Sequence, residues 1–195
     1  MSGSKQFNTD DAIDSAMTLF KDKGYAGTSL SDLEKATKLN KSSIYNTFGS
    51  KDGLYTACLE RFRLHYTSQA LAKLEQEDFK QALNDFCVYL FGGFDDLSPD
   101  PGCLASLAAL EMGAQNSQAS ESIKAGLDDM LLSLETRCQK AITQNQLDEK
   151  WDPAVLAAMI IAVNRGAIVL NRGRGDKEAG HNAYRGLLTA IFKEE

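Results

Sequence analysis

The side chains with the clearest chemical potential in this sequence lie in one short segment, residues 41–48. Ile44 and Phe48 are spaced like the inner face of a short helix, so the other side chains would point outward. Hydroxyl, amide and ammonium groups on one helix can bond to the base edges in the major groove of duplex DNA. The outward side chains are Lys41, Ser42, Ser43, Tyr45, Asn46 and Thr47.

Individual DNA contacts follow from the chemistry of these side chains. Lys41 suits guanine acceptors or a phosphate, Asn46 can read adenine, and the methyl group of Thr47 can meet thymine. The Tyr45 hydroxyl can reach a phosphate oxygen, whereas packing of the ring alone is the alternative for this residue. The segment therefore has the composition expected of a helix that reads DNA sequence.

Three further residues are candidates for phosphate contacts. Thr28 and Lys51 stand at the predicted starts of two helices, where backbone N–H groups without intrahelical partners attract anions. Lys38 lies in the turn before the 41–48 segment. We expect these residues to hold the register on the DNA backbone. The alternatives are a capping role for Thr28 and a solvated charge for Lys38.

The distribution of charge agrees with a nucleic-acid partner, although the chain as a whole is acidic. The net charge of the 195 residues is −6. Residues 1–65 carry nine lysines and arginines against eight acids, and within residues 35–63 there are six bases against two acids. Such asymmetry between parts of one chain points to a module that faces nucleic acid.

The elements that must position these side chains are helices. Apolar residues recur at helical spacing almost throughout, which predicts an all-α fold of about nine helices. Polar residues precede each of the first four helices, and glycine follows two of them. The predicted caps are Asn8 or Thr9, Ser29 with Asp32 as a capping box, Asn40 and Ser50, and the terminating glycines are Gly24 and Gly49.

Longer helices are predicted beyond residue 73. Asp152-Pro153 is a strong helix start, and the helix that follows is apolar nearly all round through Leu170. One interpretation is that this helix and the last one, about 152–171 and 176–192, form a dimer interface. The alternative is a buried central helix, because both patterns look the same in a sequence.

The order of motifs over residues 8–60 resembles the tetracycline-repressor (TetR) family. The matching features are Gly24-Tyr25, Thr28 before a short helix, a turn, then Lys41-Ser42-Ser43-Ile44-Tyr45-Asn46-Thr47-Phe48, and Lys51. The chain departs from the family pattern at Lys38, where the family often has glycine, and at Asn46, where it often has an aromatic residue. Many aligned positions at the correct spacing make this resemblance specific.

The resemblance implies the organisation of the whole chain. Residues 1–50 would form a homeodomain-like helix-turn-helix domain, and residues 51–195 would form a ligand-sensing and dimerisation domain, with helix 51–73 as the connector. The protein would bind a pseudo-palindromic operator as a homodimer, most often as a repressor, and a small-molecule inducer would release it. The residues expected to line the inducer pocket are Phe62, Tyr66, Phe86, Tyr89, Cys103, Leu107 and Met130.

Cys103 also has the features of a possible redox sensor. It follows Pro101-Gly102 at a predicted helix start, where the helix dipole lowers the pKa of a thiol. The segment resembles the branch of the family that responds to electrophiles and oxidants. The alternative is a small apolar residue that packs a helix start. We expect the other cysteines, Cys58, Cys87 and Cys138, to be unreactive core residues.

Other classes of function find less support in the sequence. The chain has no HExxH, P-loop, GxGxxG or GxSxG motif, and we expect neither an enzyme nor a bound cofactor or metal. No window reaches the roughly 18 uninterrupted apolar residues of a membrane span, so we expect a cytoplasmic protein without a membrane partner. A helical adaptor that binds another protein without DNA is the remaining alternative.

Overall fold

The computed structural model describes residues 8–90, 104–112, 117–175 and 178–192. Within these ranges the chain forms nine helices and no strand, which confirms the predicted all-α fold. The N-terminal helices are α1 (Thr9–Lys23), α2 (Leu30–Thr37), α3 (Lys41–Phe48) and α4, which runs as Lys51–Phe62, a π-helical stretch Arg63–Thr67, and Ser68–Lys73. The remaining helices are α5 (Phe79–Leu90), α6 (Leu104–Met112), α7 (Gln118–Thr143), α8 (Pro153–Arg174) and α9 (Glu178–Ile191).

The helix ends form where the capping residues predict them. At the start of α2, the Ser29 hydroxyl accepts from the Asp32 N–H while the Asp32 carboxylate accepts from the Ser29 N–H, so the capping box is complete. The side chains of Asn8, Asn40, Ser50 and Asp152 cap α1, α3, α4 and α8, and Gly24 and Gly49 end α1 and α3 at positive φ.

The turn between α2 and α3 contains a lysine in the left-handed region. Lys38 has φ 59° and ψ 18°, a conformation that a side chain disfavours. The Thr37 hydroxyl stabilises the turn because it donates to the Leu33 carbonyl at 2.7 Å and accepts from the Leu39 N–H at 3.2 Å. Leu39 is buried, so the turn is anchored on both sides of Lys38.

We expect Lys38→Gly to raise the free energy of unfolding by about 1 kcal/mol, because glycine adopts positive φ without steric strain. Urea unfolding with far-UV circular dichroism measures the change. Lys38→Ala is the matched control, since alanine removes the charge but keeps the Cβ atom. Equal stability of the glycine and alanine variants would show that the turn carries no strain.

The first of two compact units contains α1, α2, α3, the first part of α4, α6 and the start of α7. Its core is built from fully buried side chains of successive helices: Phe20, Leu33, Ile44, Leu54 and Tyr55. The rings of Phe20 and Tyr55 lie 4.7 Å apart in an edge-on arrangement. These contacts hold the short helices α2 and α3 in place, since eight residues alone make a marginal helix.

The second unit contains the rest of α4 together with α5, most of α7, α8 and α9. Phe79, Phe86, Leu134 and Tyr184 are among its fully or almost fully buried side chains. Arg137 is also buried, and its guanidinium donates to three backbone carbonyls that follow α4, those of Leu74, Gln76 and Glu77. The expected division of function between residues 1–50 and 51–195 stays a prediction.

The π-helical stretch changes which residues of α4 are buried. Leu59 is buried, and in a regular α-helix Tyr66, seven residues later, would lie on the same face. The wider π turn inserts an extra residue, so that Thr67 is buried instead and Tyr66 is 42% exposed. Residues 51–73 are therefore helical throughout, but the parts before and after the π turn do not follow one helical period. The role of this helix as a connector stays a prediction.

Among the described helices, α8 is the one that is long and apolar enough to cross a membrane by length and composition. Asn164 and Arg165 interrupt its apolar run, and 39% of its most apolar window is buried within the protein. The core of the second unit contains these buried residues of α8: Leu156, Ala157, Ile160, Ile161 and Ala167.

Candidate nucleic-acid interface

Helix α3 presents its polar side chains on one outward face. Ile44 is completely buried and Phe48 is half-buried, as the spacing of the two residues predicts. The predicted base-reading residues lie on the parts of α3 that Ile44 and Phe48 do not turn toward the core. Lys41, Ser42, Tyr45, Asn46 and Thr47 are exposed, and Ser43 is half-buried.

The N-terminus of α3 is held by two side-chain acceptors. The Asn40 side chain accepts from the Ser43 N–H at 2.8 Å. The Glu34 carboxylate, on α2, accepts from the Lys41 N–H at 2.7 Å and places a negative charge where the helix dipole favours it. Glu34 thus ties α2 to α3 across the turn. The sequence did not reveal this role, because a glutamate seven residues before a helix start carries no local signal.

Tyr45 and Lys41 lie one turn apart on the same side of α3. The Lys41 ammonium is 5.9 Å from the centroid of the Tyr45 ring, and the Tyr45 side chain is 42% exposed. The ring is therefore neither buried in the core nor fully solvated. An exposed phenol beside an ammonium is well suited to meet a phosphate oxygen.

Thr28 lies inside the fold rather than on its surface. The residue is 1% exposed, and its hydroxyl donates to the Gly24 carbonyl at 2.6 Å. The side chain therefore stabilises the loop between α1 and α2, whereas the hydroxyl that caps α2 is that of Ser29. A contact between Thr28 and a phosphate stays a prediction.

Lys51, at the start of α4, is also engaged within the fold. Its ammonium donates to the Tyr25 carbonyl at 2.6 Å and lies 4.1 Å from the centroid of the Tyr25 ring. Burial lowers the pKa of Lys51, and the nearby charge of Glu111 opposes that shift. An ammonium has three N–H donors, so the bond to Tyr25 leaves two for a phosphate. Lys38, by contrast, is exposed in its turn.

The predicted inducer-pocket residues fall into both units. Phe62 and Leu107 are half-buried in the first unit. In the second unit, Phe86 and Met130 are buried in the core and Tyr89 packs against it. A cleft of about 580 Å³ opens where the end of α7 and its following loop meet the end of α9, and none of the predicted residues lines it.

The three described cysteines are buried, and their thiols are poor nucleophiles. Burial raises the pKa of Cys87 and of Cys138 to about 12, and it also raises the pKa of Cys58. All three are free thiols, as expected for core residues. Cys103, the possible redox sensor, lies outside the described residues. In the part of the chain that the structure describes, no cluster of histidine, cysteine or carboxylate side chains is placed to hold a metal ion.

Helix α8 carries a stripe of exposed apolar and small residues opposite its buried face. The α8 stripe recurs at three- and four-residue spacing over the length of the helix, so it forms one continuous surface. Large contiguous apolar surfaces of soluble proteins are often interaction sites. The stripe consists of Val155, Ala158, Met159, Ala162, Gly166, Val169, Leu170 and Gly173.

Two family profiles match most of the chain. The profile described as bacterial regulatory proteins of the tetR family matches residues 12–58. The profile described as a tetracyclin repressor-like C-terminal domain matches residues 80–187. The first match contains α2, α3 and the turn between them.

Individual relatives agree with these matches. The HTH-type transcriptional repressor ComR of Escherichia coli (strain K12) is 35% identical over 101 residues, so the match spans 51% of this chain and about half, 48%, of ComR. A TetR transcriptional regulator from Chloroflexus aurantiacus J-10-FL is 27% identical and superimposes with a TM-score of 0.83 over 95% of this chain and 94% of that one. A cysteine mutant of the TetR family regulator CifR, complexed with 26-bp operator DNA, is 25% identical, with a TM-score of 0.84 over 96% and 98% of the two chains.

Proposed function

The chain belongs to the TetR family of bacterial regulatory proteins, and from that premise we propose that it regulates transcription by binding operator DNA as a homodimer. The observation that carries the proposal is the outward polar face of α3 over the buried side chain of Ile44. ComR is a transcriptional repressor and CifR binds operator DNA, which supports repression as the mode of action. The family consists of DNA-binding regulators rather than enzymes, and operator DNA implies a cytoplasmic location.

In this proposal α3 lies in the major groove. Asn46 and Thr47 contact base edges, and the small side chains of Ser42 and Ser43 allow a close approach. Lys41 binds a guanine or a phosphate, and the Tyr45 hydroxyl binds a phosphate. The backbone is held in addition by Lys38, Lys51 and the start of α2 near Thr28.

A symmetric pair of chains supplies two copies of α3 for the two halves of a pseudo-palindromic operator. We propose that the dimer contact lies on α8 and α9, the two helices that the sequence predicts at about 152–171 and 176–192. The exposed α8 stripe supports this choice, because its small residues allow two helices to pack closely. Release of the operator requires an inducer that binds the DNA-free conformation more tightly. The inducer pocket and the sensor role of Cys103 stay predictions.

Salt dependence tests whether the chain binds DNA through phosphates. Selection from a random duplex pool supplies the operator, and fluorescence anisotropy measures its affinity. With Lys38, Lys41 and Lys51 on phosphates in both protomers, raising salt from about 50 to about 200 mM weakens binding about 10³-fold.

Lys140→Gln is the control, because this exposed lysine of α7 lies in the second unit and takes no part in the proposed interface. Its salt dependence should equal that of the wild type. Failure to select any duplex would instead favour the helical adaptor.

A further inference from the structure

Glu111, in the last turn of α6, binds the backbone of the loop between α1 and α2. Its Oε2 accepts from the Tyr25 N–H at 2.6 Å, and its Oε1 accepts from the Ala26 N–H at 3.4 Å. A carboxylate that accepts from backbone N–H groups makes strong, charge-assisted hydrogen bonds. One side chain of α6 therefore holds two consecutive residues that precede α2.

Gly24 is fitted to this carboxylate. Its φ is +73°, and a Cβ atom added at this position would lie 2.6 Å from the Glu111 Oε1. Any other residue would be strained at that φ and would also displace the carboxylate. The close approach of Glu111 to the loop thus requires glycine at residue 24, so the loop backbone and the carboxylate are matched to each other.

Lys51 holds the same loop residue from its other side. The Tyr25 N–H donates to Glu111, while the Tyr25 carbonyl accepts from the Lys51 ammonium at 2.6 Å. The charge of Glu111 also favours the charged form of Lys51. The position of the Lys51 ammonium therefore depends on where Glu111 places the Tyr25 peptide groups.

We propose that Glu111 is a positioning residue for DNA binding: through Tyr25 it holds the Lys51 ammonium in the geometry that meets the DNA backbone. This assignment rests on the proposed function. It predicts a change in DNA affinity opposite in direction to the usual effect of removing an acid. Removal of an acidic side chain ordinarily strengthens binding to the polyanion DNA, whereas loss of Glu111 weakens it.

The test compares Glu111→Gln, Glu111→Ala and Lys51→Gln, singly and combined, in full-length protein on the selected operator. We expect Glu111→Ala to lower operator affinity at least about tenfold near 0.1 M salt and to make the salt slope shallower by about 2 per dimer, as Lys51→Gln does. The double variant Glu111→Ala with Lys51→Gln should lose no more operator affinity than Lys51→Gln alone. Glu111→Gln keeps one acceptor oxygen, so its operator affinity should lie between those of the wild type and Glu111→Ala.

Glu121→Gln is the matched control. Glu121 is an exposed acid of α7 in the same unit as Glu111, and its substitution removes the same charge. Its operator affinity should equal or slightly exceed that of the wild type. An unchanged salt slope in Glu111→Ala, or additive losses in the double variant, would overturn the assignment while wild-type binding upholds the proposed function. A wild-type chain that binds no duplex would overturn both.

Discussion

Met159→Glu is expected to convert the proposed dimer into monomers and to lower operator affinity by about 10²- to 10³-fold. Met159 lies in the middle of the α8 stripe and is exposed in the single chain. In a two-fold symmetric contact through this stripe, one substitution introduces two carboxylates into the same apolar interface. Like charges placed there cost several kcal/mol, and loss of one half-site removes most of the affinity that exceeds non-specific binding.

Light scattering after size-exclusion chromatography measures the mass, and anisotropy measures operator affinity. Met159→Leu is the conservative control and should remain dimeric. Leu132→Glu is the positional control, because Leu132 is an exposed leucine of α7 in the same unit but outside the stripe. If Met159→Glu stays dimeric at micromolar concentration, or if Leu132→Glu dissociates, the dimer contact does not lie on the α8 stripe.

Asn46→Ala is expected to abolish discrimination at one base pair in each half-site. A bidentate contact between asparagine and adenine contributes about 1–3 kcal/mol. Because the operator has two half-sites, we expect the affinity for the selected operator to fall roughly 30-fold to 10⁴-fold. Non-specific affinity and the salt slope should stay unchanged, since the amide carries no charge. Because Asn46 is exposed, the free energy of unfolding should also stay within about 0.5 kcal/mol of the wild type.

Lys41→Gln is the comparison that separates base reading from phosphate binding. If Lys41 binds a phosphate, its replacement weakens all duplexes alike and reduces the salt slope by about 2 per dimer. If it binds guanine, the loss is specific to the operator. An Asn46→Ala protein that keeps its preference among operator variants would remove α3 from the role of the reading helix.

Local features of the chain could be predicted well. The capping box of Ser29 and Asp32, the Asn40 cap and the stops at Gly24 and Gly49 all depend on hydrogen bonds or dihedral angles within a few residues. The outward face of α3 could be predicted for the same reason, because the spacing of Ile44 and Phe48 determines which side faces the core. Burial of Cys58, Cys87 and Cys138 followed from their places on apolar stripes.

The sequence alone thus determined the helices, their ends and the residues that α3 exposes, since these depend on short-range geometry. Only the tertiary structure decided that Thr28 is buried, that Lys51 binds the Tyr25 carbonyl, and that Tyr66 is turned outward by the π-helical stretch. It also decided the partners of Glu34 and Glu111, the latter 86 residues from Tyr25 in the chain. A hydrogen bond between distant segments depends on how whole helices pack, and that packing leaves no trace in the spacing of neighbouring residues.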